Sequence, residues 1–268
     1  MKRFGLYLTG LLLSVLCLTS CLKGSNVQEG WACGVLGVSK DMFTPVLKTQ
    51  MGDFAASSLT SSLNKGEIYY GDCFLFYFRL DSDLPENAAK VFEMNGYYTI
   101  TILQIDQIQK FYLNPGMTDI MTARPGEVPV TDGYYSGEYI DKYLFITQVV
   151  NQPSDLELYW FMNYDEQNMM VEENNKRYYD LYIRATIKRE SDKTVKTDVA
   201  YLNAYDMQNY FQTAASMEKT YLGSSYNASS SKFTVRFNYV TSIDEETGDI
   251  TWKSITEEID IAWFTSGN

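Results

Sequence analysis

The chain has 268 residues, 45% of them hydrophobic, and 22 Lys+Arg against 34 Asp+Glu give it a formal net charge of −12. So acidic a chain, with no basic cluster along it, excludes nucleic acid as a partner, because phosphate-backbone binding needs concentrated positive charge. It has no histidine, which removes Ser-His-Asp and Cys-His nucleophile systems, the usual general base near neutral pH and most catalytic zinc sites.

In chain order, Lys2 and Arg3 precede FGLYLTGLLLSVLCL, an apolar run of about 15 residues that suits the core of a secretory signal and is short for a bilayer-spanning helix. Leu18-Thr19-Ser20-Cys21 follows and resembles the bacterial lipobox, in which a cysteine is lipidated before the signal is cut. Residues 1–20 are expected to be removed, leaving Cys21 as the lipidated first residue and the membrane as a partner through that anchor. Loss of Lys2 and Arg3, with no acidic residue, moves the charge from −12 to −14. Residues 21–30, mostly polar after Leu22 and without periodicity, suit a tether, with order expected from about Trp31.

The next segments, WACGVLGV, FTPVLKT, EIYYGDCFLFYFRL and GYYTITILQI, read as strands. The third is apolar on both faces and must be covered on both, with Phe74, Phe76, Phe78 and Leu80 on one of them. Gly71-Asp72 at its head is a turn or bulge signal. In SDLPENAAKVFEMNG a short helix is expected, capped by Ser82 or Asp83, with Pro85 in its first turn and Gly96 ending it in a left-handed conformation. Residues 115–133, with three of the six prolines, read as a linker.

Beyond it, KYLFITQVV, LELYWFMNY, RYYDLYIRATIK, KFTVRFNYV and ITEEIDIAWF continue the strand pattern. Tyr179, Leu181, Ile183, Ala185 and Ile187 alternate with Asp180, Arg184 and Thr186. Phe233, Val235, Phe237 and Tyr239 alternate with Thr234, Arg236 and Asn238. One dry and one wet face per strand predicts an antiparallel sandwich. DEETGD, residues 244–249, reads as its hairpin loop. Met207, Tyr210, Phe211, Ala214 and Ala215 fall at helical spacing behind Asp206 and predict a helix. The fold expected is mainly β with one or two short helices: a barrel over residues 31–114, the linker 115–133, and a sandwich over residues 134–268.

Chemistry-bearing residues are sparse. Cys33 and Cys73 remain once Cys17 leaves with the signal and Cys21 carries lipid. In an oxidising envelope they could pair as a disulfide, and equally each sits in an apolar segment where a free cysteine is a small hydrophobe. No phosphate-binding, dinucleotide or nucleophile-elbow motif occurs, and no cofactor or metal is expected. DEETGD lacks the alternating oxygen ligands of a calcium loop. Carboxylate catalysis needs only two acids at the right separation, for instance Glu157 and Asp180, and the sequence singles out no pair. Aromatic clusters are the positive sign of binding. Tyr134, Tyr135 and Tyr139 in a Gly-flanked loop could stack on a ligand, while Trp160 beside Tyr159 and Phe161 fits core packing.

Lipobox, tether, FTPVLKTQMGDF, KGEIYYGDCFLFYFRLD with its Gly-Asp turn, and GYYTITILQIDQIQKFYLN before the linker together resemble the NigD-like lipoproteins of Bacteroides and relatives. That resemblance implies an N-terminal OB-type barrel followed by a β-sandwich, no activity or catalytic residue to carry over, and an immunity-like or envelope-binding role. Cys21 is followed by LKGSN rather than the acidic residues frequent in such proteins, which favours an outer-membrane anchor facing the periplasm. The expected protein is thus non-enzymatic and binds an unidentified envelope protein or glycan. A fimbrillin-type structural subunit is the alternative, although no arginine lies between Cys21 and Arg79 to offer its processing site. A carboxylate-dependent glycoside hydrolase is the third.

Overall fold

The computed structural model describes residues 26–116, 122–227 and 230–265; Cys21 and the expected signal fall outside them. The chain divides into two compact units, and packing rather than chain order draws the boundary. The first takes the described residues up to Lys110 together with Tyr135–Phe145 and Leu202–Ala204, and the second takes the rest.

The first unit opens with β1 (Val27–Val38), β2 (Pro45–Thr49) and β3 (Gly52–Ala55), an antiparallel meander. Strand structure begins at Val27, inside the expected tether. A helix, α1 (Ser57–Asn64), follows and anchors through buried Leu59. Its Ser- and Thr-rich sequence carries little helical propensity, so packing makes it a helix. β4 (Cys73–Asp81) pairs antiparallel with β1. Gly71, at φ +84°, and Asp72 form the expected turn at its head, with Asp72 accepting the Tyr69 N–H at 2.9 Å and pairing with Lys110 at 2.9 Å.

Between β4 and the last barrel strand, Pro85 opens a 3-10 turn instead of the helix. The helix proper, α2 (Ala89–Asn95), has no side-chain cap and ends, as expected, on Gly96 at φ +76°. Asn87 fastens this connection. Its side chain donates to the Asp81 and Thr99 carbonyls and accepts from Thr99 N–H, all within 2.8 Å.

β5 (Tyr97–Thr99) and β6 (Thr101–Pro115) are one path interrupted at Ile100. The first part pairs parallel with β3 and the second antiparallel with β4, which closes a ring of β1, β2, β3, β5/β6 and β4. This five-stranded closure is the OB barrel. Phe54, Phe74, Phe76, Phe78, Leu36 and Leu47 fill its interior.

The outward residues of β1 and β4 are buried too. Cys33, Val35 and Cys73 pack with Ile140, Tyr143, Phe145 and Ala204. These come from β7 (Asp132–Ile140), the start of β8 (Tyr143–Pro153) and β12 (Lys196–Asp206). β4 is therefore covered on both faces, as its sequence requires.

The second unit also contains β9 (Glu157–Tyr164), β10 (Met170–Glu173), β11 (Lys176–Arg189), α3 (Gln208–Leu222), β13 (Lys232–Ile243), β14 (Ile250–Asp260) and α4 (Ala262–Thr265). β9 and β10 pair antiparallel with β11, and β14 with β13, but β13 lies parallel to β11 and β9 parallel to Leu113–Pro115 at the end of β6, so the sheet is mixed rather than wholly antiparallel. Asp244–Asp249 closes the β13–β14 hairpin as expected, with Gly248 N–H donating to Asp244 O at 2.9 Å.

The dry face holds except at its end. Tyr179, Leu181, Ile183, Ala185, Phe233, Val235, Phe237 and Tyr239 are all buried, while Ile187, at the bulge of β11, is half-buried. The helical stripe Tyr210, Phe211, Ala214 and Ala215 of α3 is buried as well, and Phe211 meets Phe233 at 5.8 Å and Phe264 at 5.4 Å.

The expected wet face is not wet at its centre, because Asp180, Arg184 and Asn238 are buried. Part of the expected linker accounts for Arg184. Val128 N–H donates to Ala185 O at 2.9 Å and Val130 N–H to Val240 O at 2.7 Å, and Glu127 forks onto Arg184 at 2.5 and 2.6 Å. Residues 122–131 are thus an integral part of this unit. Arg236 holds Asp180 at 2.5 and 2.7 Å and reaches Glu173 at 2.7 Å.

Candidate functional site

The barrel presents two loops side by side. The turn between β1 and β2, SKDMFT, is organised by Asp41, whose carboxylate accepts the Ser39 hydroxyl, Phe43 N–H at 2.9 Å and Thr44 N–H at 3.3 Å. Those hydrogen bonds, the Ser39 hydroxyl first among them, hold its pKa below the usual aspartate value.

With the carboxylate turned inward, the tip displays Met42, 77% exposed and at φ +63°, and Phe43, 87% exposed. A left-handed backbone at a residue other than Gly, Asn or Asp is uncommon and costs energy that the surrounding hydrogen bonds must offset. The second loop, residues 82–96, ends against the first. A Cβ at Gly96 would lie 3.2 Å from Lys40 Cδ. Met94 on α2 is 76% exposed, while its neighbour Phe92 stacks on Tyr98 at 4.2 Å.

The structure treats the sequence candidates unevenly. The loop expected around Tyr134, Tyr135 and Tyr139 is instead strand β7; Tyr139 is half-buried there, and the side chains of Tyr134 and Tyr135 lie outside the described residues. Trp160 is buried against Tyr201 at 5.4 Å, whereas Tyr159 is exposed beneath Lys188 at 5.4 Å.

Cys33 and Cys73 are buried free thiols. Cys73 faces Val35 and Cys33 faces Leu75 across the ladder, so the thiols are diagonal neighbours. That places their Cα atoms about 7–8 Å apart, beyond easy disulfide reach without backbone movement. Burial pushes the Cys73 thiol up to about 12 and the Cys33 thiol well above its ordinary value. Such thiols are inert rather than nucleophilic. Glu138 meets Cys33 in the same layer, and burial raises its pKa.

Glu157 is paired with Arg189, and the register places it opposite that residue. Asp180 lies nine residues away along β11, about 30 Å at strand rise. This pair cannot flank a glycosidic bond, which needs carboxyls within about 10 Å. Among the described residues no group of three His, Cys, Asp or Glu could hold a metal ion.

Met42, Phe43 and Met94 went unread in the sequence, where Phe43 was assigned to a strand that begins only at Pro45. The available signal was Met-Phe inside a polar stretch behind an aspartate able to bond to the backbone two residues on.

These features define an OB barrel joined to a second β-rich unit. Residues 24–106 match the family described as "Lipoprotein OB domain". No curated protein matches the chain. Among solved structures, the chain is similar to an uncharacterized protein from Parabacteroides merdae at 17% identity and TM-score 0.69, covering 86% of this chain and 98% of that one. It is also similar to a protein of unknown function from Bacteroides vulgatus at 12% identity and TM-score 0.47, covering 87% and 91%. A NigD-like immunity protein from Bacteroides caccae matches at 11% identity and TM-score 0.47, covering 89% and 100%. The OB-type first half read from the sequence has its counterpart in that domain match.

Proposed function

We propose that this chain is a lipid-anchored, non-enzymatic protein of the bacterial cell envelope, attached through Cys21 to the outer membrane on its periplasmic side. The observation that carries the reading is a coincidence of positions. The match to the lipoprotein OB domain begins at residue 24, three residues after the lipobox cysteine. Its role is to engage an envelope protein or glycan. Tyr134, Tyr135 and Tyr139 are the residues assigned to that contact, because tyrosine rings supply area and a polar tip.

Metabolic labelling with a fatty-acid analogue should mark the wild type and leave Cys21→Ala unlabelled and soluble. An unlabelled wild type would overturn the anchor. Protease applied to intact cells should spare the protein, and digestion would move it to the cell surface. Replacing Tyr134, Tyr135 and Tyr139 together by alanine should lower co-isolation of the partner with the thermal transition kept. Loss of the transition instead would assign those rings to the core.

A further inference from the structure

We propose that the paired loop tips of the OB barrel, Met42 and Phe43 beside Met94, seat on the bilayer that holds the lipid anchor, so that the domain lies against the membrane instead of swinging from its tether. The inference rests on the anchor reading above.

Reach is the first support. Five Cα steps separate Cys21 from Asn26, roughly 18 Å when fully extended. Asn26 is tied to the second loop: its side chain donates to Asp83 Oδ1 at 2.5 Å and its carbonyl accepts Ser82 N–H at 2.9 Å. The same loop carries exposed Leu84 and Met94 and ends at Gly96, against Lys40 of the first loop. A 3-10 turn and a two-turn helix span it, roughly 20 Å at their rise per residue. The acyl chains are thus confined to within a few tens of ångströms of every apolar tip.

Side-chain chemistry is the second support. Phe and Met displayed from a turn fixed by Asp41 suit the acyl–headgroup boundary, where apolar area is buried at little further cost in order. Charge selects the surface. Of the charges exposed on the two loops, Lys40 is outnumbered by Asp41, Asp83, Glu86 and Glu93, a net negative set that anionic lipid would repel. A zwitterionic bilayer fits, with attraction through apolar burial that salt barely screens.

The test uses the full lipidated chain in phosphatidylethanolamine/phosphatidylcholine vesicles. Phe43→Cys, Met94→Cys and, on the second unit, the exposed Val195→Cys would each be labelled with an environment-sensitive dye; Cys33 and Cys73 are buried and do not compete.

At positions 43 and 94 the expected result is a blue-shifted emission and several-fold stronger quenching by acyl-chain nitroxides than at position 195, unchanged by salt. Equal, water-like emission at all three positions would overturn the seating while acylation of Cys21 stands. An unacylated Cys21 would remove the anchor reading and this inference with it. A blue shift that appears in detergent at rising protein concentration, without vesicles, would assign the tips to a second copy of the chain and overturn the lipid reading.

Discussion

β4 in the first unit and β11 in the second are both buried on two faces, by opposite chemistry. β4 sets Phe74, Phe76 and Phe78 into the barrel and Cys73 into an outer apolar layer. β11 buries Tyr179, Leu181 and Ile183 on one side and, on the other, Asp180 and Arg184 as ion pairs. An apolar second face only has to be covered, by whatever strand passes. A charged one needs a particular partner at a particular atom, and residues 122–131 are held in place to supply it.

The largest expected effect follows from that difference. Arg184→Ala leaves Glu127, whose side chain is fully buried, without its cation, and should cost about 3–5 kcal/mol. Phe76→Ala in the barrel should cost a similar amount through its cavity. Double replacement separates the two cases. Glu127→Leu with Arg184→Met should recover most of the loss, because a buried pair is often matched by apolar residues of similar size. Urea unfolding measures all three. A loss below about 1 kcal/mol for Arg184→Ala would mean that the second face of β11 is solvated.

The barrel can be broken from the other direction, by adding atoms. A Cβ on Gly34 would lie 3.0 Å from Phe76 Cε1 and 3.2 Å from Leu47 Cβ. Gly34→Val should therefore cost about 1–3 kcal/mol through overpacking. Combining it with Phe76→Leu should return part of that, as read from the shift in the urea midpoint.

The outer layer of the first unit predicts a pH dependence. Burial raises the folded-state pKa of Glu138 above its ordinary value of 4.5. The folded state therefore binds the proton more tightly than the unfolded one. Glu138's favourable contribution is full below about pH 4.5 and is lost as pH rises through the raised value. Glu138→Gln should lack this contribution, so its stability should gain on the wild type as pH rises through that window. Parallel stability profiles for the two proteins would exclude an effect of this carboxyl.

What was legible in the sequence follows the same divide. Periodicity exposed the two apolar faces of β4, the dry faces of β11 and β13 and the stripe of α3, because hydrophobic spacing is a local property. Gly71-Asp72, Gly96 and the DEETGD hairpin were legible because turns are local too. β3 and α1 were missed, being short and weak in propensity, and tertiary packing decides them. The roles of Asp180, Arg184 and Glu127 were hidden, since a charged residue reads as solvated until its partner, 57 positions away for Arg184 and Glu127, is brought beside it. The loop tips were hidden for the converse reason: apolar residues in a polar stretch read as the start of the next strand.

The smallest expected effect is the exposed counterpart of the Arg184 pair. Lys48 reaches Asp141 at 3.4 Å, with the two side chains 36% and 42% exposed. Water and salt already screen a pair so placed, so its charge should contribute under about 0.5 kcal/mol. The stem of Lys48 does more. A Cβ on Gly37 would lie 2.7 Å from Lys48 Cε, so the methylenes lie across the glycine and cover the strand there. Lys48→Met keeps that stem and should be nearly neutral, and Lys48→Ala should cost more than Lys48→Met. The opposite order, with Met as costly as Ala, would mean that the ammonium is the stabilising group and that solvent screens this pair far less than its exposure implies.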